Sequence, residues 1–174
     1  MVRLLTGAGR GTVFGEPDGS TTSRIEALAA AFRAADLPVT IAANIRELIW
    51  QKLAFNLSAG PMCVLTQSAV RATHQEQALI ACSRRLLAEA EAIALAMGYR
   101  LDLDVERIVA TNTRLAHRPS ILQDLEAGRP MEIDALYTVP LEMARLMNVP
   151  TPTLDLLASM IRLRARAAGL YSPA

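Results

Sequence analysis

The chain has 174 residues, 52% of them apolar and 20% charged, with a formal net charge of +1. That length is enough to bury roughly 70% of the unfolded surface in a core. The arginines are scattered, at positions such as Arg24, Arg71, Arg107 and Arg145, so no face carries the charge that backbone-driven nucleic-acid binding requires.

The N-terminus "MVRLLTGAGR" has too short an apolar run for a signal peptide, and no apolar run approaches a membrane span. The expectation is a cytoplasmic protein without membrane or nucleic-acid partners. Residues 1–43 read as strand, helix, strand: "VRLLTGAGRGTVFGE" ends in the turn "EPDGS", "TTSRIEALAAAFRAAD" has a Thr/Ser cap and a 3.6 period, and "LPVTIAAN" is a short apolar run. One strand-helix-strand cannot build a stable sheet alone. The segment is therefore expected to be the remnant of an α/β, dinucleotide-binding domain. "GAGRGT", Gly7 to Thr12, imitates a glycine-rich cofactor loop, but that loop needs a third glycine where Thr12 stands and must open a helix, whereas "VFGEPDG" follows. It reads as a strand with a glycine bulge or turn.

From residue 44 to 174 the pattern is helical, with about six helices and breaks expected at Gly60-Pro61, Gly98, Pro119, Gly128-Arg129-Pro130 and Val149-Pro150-Thr151-Pro152. The fold class is mainly α, a helical domain preceded by a short β-α-β remnant. Cys63 and Cys82 lie in apolar patterns without CxxC spacing and read as reduced core cysteines. His74 and His117 are too few and too isolated for zinc, so no metal site is expected.

Two charges interrupt apolar stripes. On a helical wheel of "NIRELIWQKLAFNLSAG" the stripe forms around Ile45, Leu48, Ile49 and Leu53, and Lys52 and Asn56, four residues apart, fall within it. Lys52 is the one lysine among eighteen basic residues. It is the compact ammonium that proton transfer favours over guanidinium. In "EIDALYTVPLEMARLM" the stripe holds Leu136, Val139, Met143, Leu146 and Met147, with Glu132 on its axis and a kink expected at Pro140. An inward lysine and an inward glutamate are expected either to pair structurally or to line one polar cleft.

In order and spacing, "IRELIWQKLAFN", "HRPSILQDLEAGRPMEIDAL" and "NVPTPTLDLL" resemble the C-terminal helical domain of the ketopantoate reductase (2-dehydropantoate 2-reductase) family, from about Arg46 onward. The pattern "PSxLQDxxxGRxxEID" is the specific part. The first forty-odd residues, with "GxxxxFGEPDG", resemble the end of that family's Rossmann domain, so the chain reads as lacking the part that carries the cofactor fingerprint. The resemblance implies NADPH-dependent reduction of a 2-keto acid. It implies Lys52 as the catalytic lysine and general acid, Asn56 and Ser120 as residues that hold the substrate, and Glu132 beside the nicotinamide ribose. Gly60 and Val70 stand where the family pattern has amide side chains, which leaves open which 2-keto acid is used.

The fragment alone is expected to be inactive. A homodimer is expected from the unpaired edges of residues 1–40, with the apolar final helix "PTLDLLASMIRLRARAAGL" as a further motive. Two alternatives stand beside this reading: a non-catalytic helical dimerisation module, and the C-terminal domain of a 3-hydroxyacid dehydrogenase-type enzyme.

Overall fold

The computed structural model describes residues 11–172. The glycines of "GAG" and the first half of the first strand reading lie outside those residues. The chain divides into two compact units between Ile49 and Trp50.

The first unit is a parallel β-α-β: β1 (Thr12–Phe14), α1 (Ser23–Ala34) and β2 (Val39–Ile41), with Thr12 opposite Val39 and Phe14 opposite Ile41. The Thr22 hydroxyl accepts the Ile25 N–H at 3.3 Å and so caps α1, as the Thr/Ser signal requires. Ile25 and Ala29, one turn apart, form its buried face, and Phe32 meets Phe14 edge to face with ring centroids 4.9 Å apart. Gly11 has φ +55°, and a Cβ there would stand 2.1 Å from the Pro38 carbonyl oxygen, so only glycine fits. In the "EPDG" turn the buried Glu16 carboxylate accepts from the Arg24 guanidinium and, at 2.5 Å, from the Thr22 hydroxyl. Those two donors hold its carboxyl below the usual range.

The division between units falls within α2 (Ile45–Thr66). The helical unit continues with α3 (Val70–Thr73), α4 (Gln77–Ala96), α5 (Val105–Asn112), α6 (Ser120–Glu126), a π-helical turn (Asp134–Thr138), α7 (Val139–Leu146) and α8 (Pro152–Ala167). Most breaks follow the sequence signals: Gly98 at φ +88° and Gly128 at φ +64° stand just past α4 and α6, Pro119 precedes α6, and Pro152 opens α8. Gly60-Pro61 does not break the chain. Proline removes one helical hydrogen bond, but every residue from Leu57 to Val64 is buried, and packing on all sides outweighs that loss.

The helix α4 is the central beam. Its buried residues Ile80, Leu86, Leu87, Ala90, Ile93 and Ala94 form one broad face, and α5, α7 and α8 pack against the helix. Between α3, α4 and α5 the core encloses a polar knot around His74, whose ring nitrogens lie 3.1 Å from the Val70 carbonyl oxygen and 3.2 Å from both Ser83 Oγ and Asn112 Nδ2. Cys63 and Cys82 carry free thiols; Cys63 is fully buried and its pKa is pushed up to about 11 by burial. It is an inert core residue, in keeping with the sequence reading.

Candidate active site

The structure corrects both helical wheels. The buried face of α2 in its first half is Trp50, Ala54 and Leu57, while Ile49 is 59% exposed, Lys52 is exposed and Asn56 is half-buried. Lys52 is not an inward charge. The wheel gave weight to the large aliphatics; the contact is made instead by a tryptophan and an alanine, with the small residue allowing close approach.

Glu132 is likewise exposed, and so is most of its supposed stripe, with Leu146 80% exposed; Ile133, Tyr137, Leu141 and Ala144 are the buried set. Those four stand at i, i+4, i+8 and i+11, an ordinary helical face beside the one the wheel selected, and it runs through a π turn in which the Val139 N–H reaches back five residues to the Asp134 carbonyl. Such a turn holds one residue more than an α-helical turn. Pro140 explains the insertion, since its ring has no N–H and cannot fit against the carbonyl four residues back. The distortion expected at Pro140 thus takes the form of a widened turn rather than a simple kink.

Lys52 and Asn56 remain one above the other on α2. One further turn along, α2 meets the other two segments that carry predicted site residues. A Cβ placed on Gly60 would stand 3.7 Å from Ile121 Cγ2 and 3.5 Å from the Tyr137 hydroxyl. Ile121 follows Ser120, the exposed first residue of α6, and Tyr137 lies in the π turn that begins two residues after Glu132. Glycine at position 60 is thus where the backbone of α2 approaches both neighbours.

The segment before Ser120 is fastened to the end of α2 and to α3. Val70 N–H donates to the His117 carbonyl at 3.0 Å, Arg71 N–H to the Leu115 carbonyl at 2.9 Å, and Arg118 to the Gln67 carbonyl at 3.1 Å while it also pairs with Glu126. The segment around Glu132 is fastened to the C-terminus: Met131 N–H donates to the Leu170 carbonyl at 3.0 Å, and the Asp134 carboxylate accepts from Tyr171 at 2.7 Å and Thr138 at 2.8 Å. Those two hydroxyls, Tyr171 foremost, hold the Asp134 carboxyl below its usual range. Burial raises the Tyr137 phenol far above its ordinary value, so it stays a neutral hydroxyl.

Among the described residues no hydrogen bond or ion pair joins the side chains of Lys52, Asn56, Ser120 and Glu132 to each other or to the rest of the chain. The structural ion-pair reading of Lys52 with Glu132 is thereby removed. Among the described residues no three of His, Cys, Asp and Glu gather to hold a metal, and no helix is long and apolar enough to cross a membrane. Nothing local in the sequence marks the anchors Asp134, Tyr171 and Arg118, because each acts through a partner distant in the chain.

Three comparisons with known proteins identify the family to which this arrangement belongs. Residues 44–165 match the family described as ketopantoate reductase PanE/ApbA C terminal. The chain is 40% identical over 159 residues, 91% of its own length, to a 2-dehydropantoate 2-reductase from Mesorhizobium japonicum. Its fold matches the crystal structure of 2-dehydropantoate 2-reductase from Methylococcus capsulatus with a TM-score of 0.82 at 28% identity over 90% of the chain. It also matches a dimeric ketopantoate reductase from Staphylococcus aureus with a TM-score of 0.70 at 27% identity over 82% of the chain. The chain belongs to the ketopantoate reductase family. It spans about half of each relative: 49% of the Mesorhizobium protein, 51% of the Methylococcus chain and 52% of the Staphylococcus chain.

Proposed function

We propose that the chain is the substrate-binding and proton-donating half of a 2-keto-acid reductase of the 2-dehydropantoate 2-reductase type, with Lys52 as general acid. The observation that carries this reading is the family match over residues 44–165, which contains Lys52, Asn56, Ser120 and Glu132 in order. In such a reduction the ketone carbon gains a hydride, the carbonyl π pair moves onto oxygen, and that oxygen takes a proton. Lys52 Nζ–H is suited to donate to the oxygen as charge develops and then to release its proton. Being exposed, it recovers one from water. Asn56, one turn along, would orient the substrate carboxylate through its amide, and Ser120 would meet the same substrate from the start of α6.

A nicotinamide dinucleotide supplies the hydride when bound, and the residues present suit one end of it. The Glu132 carboxylate, exposed and without a partner among the described residues, suits the hydroxyls of the nicotinamide ribose. The start of α1 does not suit a pyrophosphate, because the Thr22 hydroxyl already takes the Ile25 N–H and the Glu16 carboxylate lies against Thr22 and Arg24. The chain by itself should therefore show no measurable NADPH affinity. A calorimetric titration is expected to be flat, and binding tighter than about 100 μM, roughly −5.5 kcal/mol, would contradict this.

The reductase reading itself is tested by fusing the chain behind the cofactor-binding half of the Mesorhizobium japonicum relative and following NADPH oxidation with a panel of 2-keto acids. Turnover with 2-dehydropantoate or a close analogue is expected. A folded fusion that reduces no 2-keto acid would overturn the proposal. Val70 is buried in the core and offers a substrate nothing.

A further inference from the structure

Tyr137 is the largest of the fully buried side chains, only 1% exposed, yet its hydroxyl has no hydrogen-bond partner among the described residues. Every wholly buried side-chain nitrogen or oxygen among those residues has such a partner. The hydroxyl is therefore the point at which this side chain meets solvent, and it opens on a recess over Gly60. A Cβ built on Gly60 would stand 3.5 Å from it and 3.7 Å from Ile121 Cγ2, and apart from α2 itself no other atom among the described residues comes within 4 Å. A polar atom left unpaired at the edge of a packed core is exceptional in a folded chain.

The recess lies on the line of the candidate site. Lys52, Asn56 and Gly60 recur at i, i+4 and i+8 on α2, which puts Gly60 roughly 6 Å beyond Asn56 along the helix. Ile121, on the facing wall, follows Ser120 at the start of α6. Building on the reductase reading above, on which this inference rests, we propose that Tyr137 is a further substrate-binding residue: its hydroxyl bonds a neutral hydroxyl on the carbon chain of the 2-keto acid and selects the acids that carry one.

The chemistry of the recess favours an alcohol over other groups. A phenol both donates and accepts, as an alcohol does, and burial keeps this one neutral. A second carboxylate or an ammonium would lose its water against Ile121 and the Tyr137 ring and find no opposite charge there. A plain alkyl chain would cover the Tyr137 hydroxyl and leave it unpaired, which costs more than the hydrogen bond itself gains. One helical turn beyond Asn56 is also about the span from the carboxylate of a 2-keto acid to an oxygen on its fourth carbon. The hydroxyl is held in place beforehand, because Tyr137 sits in the π turn that Thr138 and Tyr171 fasten through the Asp134 carboxylate, at 2.8 and 2.7 Å.

The test is steady-state kinetics of the fused reductase, wild type and Tyr137→Phe, with 2-dehydropantoate, which has a hydroxyl on its fourth carbon, and with the same acid bearing hydrogen there. Phenylalanine keeps the ring and removes only the oxygen, so the fold is expected to hold, as thermal unfolding will show. The wild type should favour the hydroxylated acid in kcat/KM, and Tyr137→Phe should lower that preference by about tenfold, the scale of one neutral hydrogen bond, chiefly through KM. A hydroxyl that serves packing or holds only a water would change both acids alike, and a preference unchanged in Tyr137→Phe would overturn the proposal while leaving the reductase reading intact. A Tyr137→Phe protein that loses its fold would assign the hydroxyl to structure and overturn it as well. A folded wild-type fusion that reduces neither acid fails at the reductase reading, and the proposal falls with it.

Discussion

The carboxylate of Glu89, within α4, accepts the backbone N–H groups of Thr153 at 2.9 Å and Leu154 at 2.8 Å, the first-turn donors of α8. Thr151, the residue placed to cap that helix, makes no cap of its own and gives its hydroxyl to Asp155 instead. A side chain from another helix therefore satisfies donors that would otherwise be orphaned, and it adds a negative charge at the positive end of the helix dipole.

Glu89→Ala should accordingly destabilise the helical unit by about 1–3 kcal/mol, the scale of a lost charge-assisted cap. Glu89→Gln, which keeps an acceptor oxygen without the charge, should cost less. Urea unfolding of both variants measures this. Equal midpoints for wild type and Glu89→Ala would show that water replaces the carboxylate at no cost.

The His74 knot sets a pH dependence. The Val70 carbonyl can only accept, so Nδ1 carries the proton and Nε2 accepts from Asn112 or Ser83. Burial lowers the His74 pKa below its ordinary 6.5. Above 6.5 the ring is neutral in both the folded and the unfolded chain, and its contribution to stability is complete. As the pH falls below 6.5 the unfolded chain takes up a proton that the folded chain resists, so stability declines until the folded pKa is passed. Unfolding midpoints between pH 7.5 and 5 should fall for the wild type, with that part of the slope absent in His74→Gln. Parallel curves for the two proteins would contradict the assignment.

Much of this architecture is legible in the residues. The Thr22 cap, Gly98, Gly128 and Pro152 mark their helix ends because each acts within one turn of itself. The family pattern around Lys52 and Glu132 is equally local, being a matter of order and spacing. What the sequence concealed depends on contacts between distant segments. Trp50 and Ala54 rather than Ile45 and Ile49 make the buried face of α2, and nothing within the helix decides between them. In the segment around Pro140 the buried face runs through Ile133, Tyr137, Leu141 and Ala144 at ordinary helical spacing, and the stripe of larger aliphatics lies beside it. Gly60-Pro61 looks like a break and lies inside a helix, because the neighbours that stabilise it come from α6 and the π turn.

Gly60 offers a direct probe of that junction. An added methyl would meet only ordinary contacts with Tyr137 and Ile121, at 3.5 and 3.7 Å, while alanine in a helix interior gains about 0.5–1 kcal/mol over glycine. Gly60→Ala should therefore be neutral or stabilising by up to that amount. Gly60→Asn, which pushes a longer polar side chain against the same two neighbours, should cost about 1–3 kcal/mol from overpacking. Thermal unfolding of the two variants distinguishes them, and a destabilised Gly60→Ala would mean that α2, α6 and the π turn approach more closely than these distances state.

The role of Lys52 in proton donation is tested most directly by single-turnover reduction of a 2-keto acid in the fused reductase, comparing wild type with Lys52→Ala and Lys52→Arg. Because the side chain is exposed and has no partner among the described residues, its removal should leave folding and cofactor binding intact while the chemical step slows by roughly 10²-fold or more. Lys52→Arg should recover part of the electrostatic stabilisation but not the proton delivery, since a guanidinium does not readily give up its proton. Near-normal turnover in Lys52→Ala would contradict the assignment and leave Lys52, Asn56, Ser120 and Glu132 without a common chemical role.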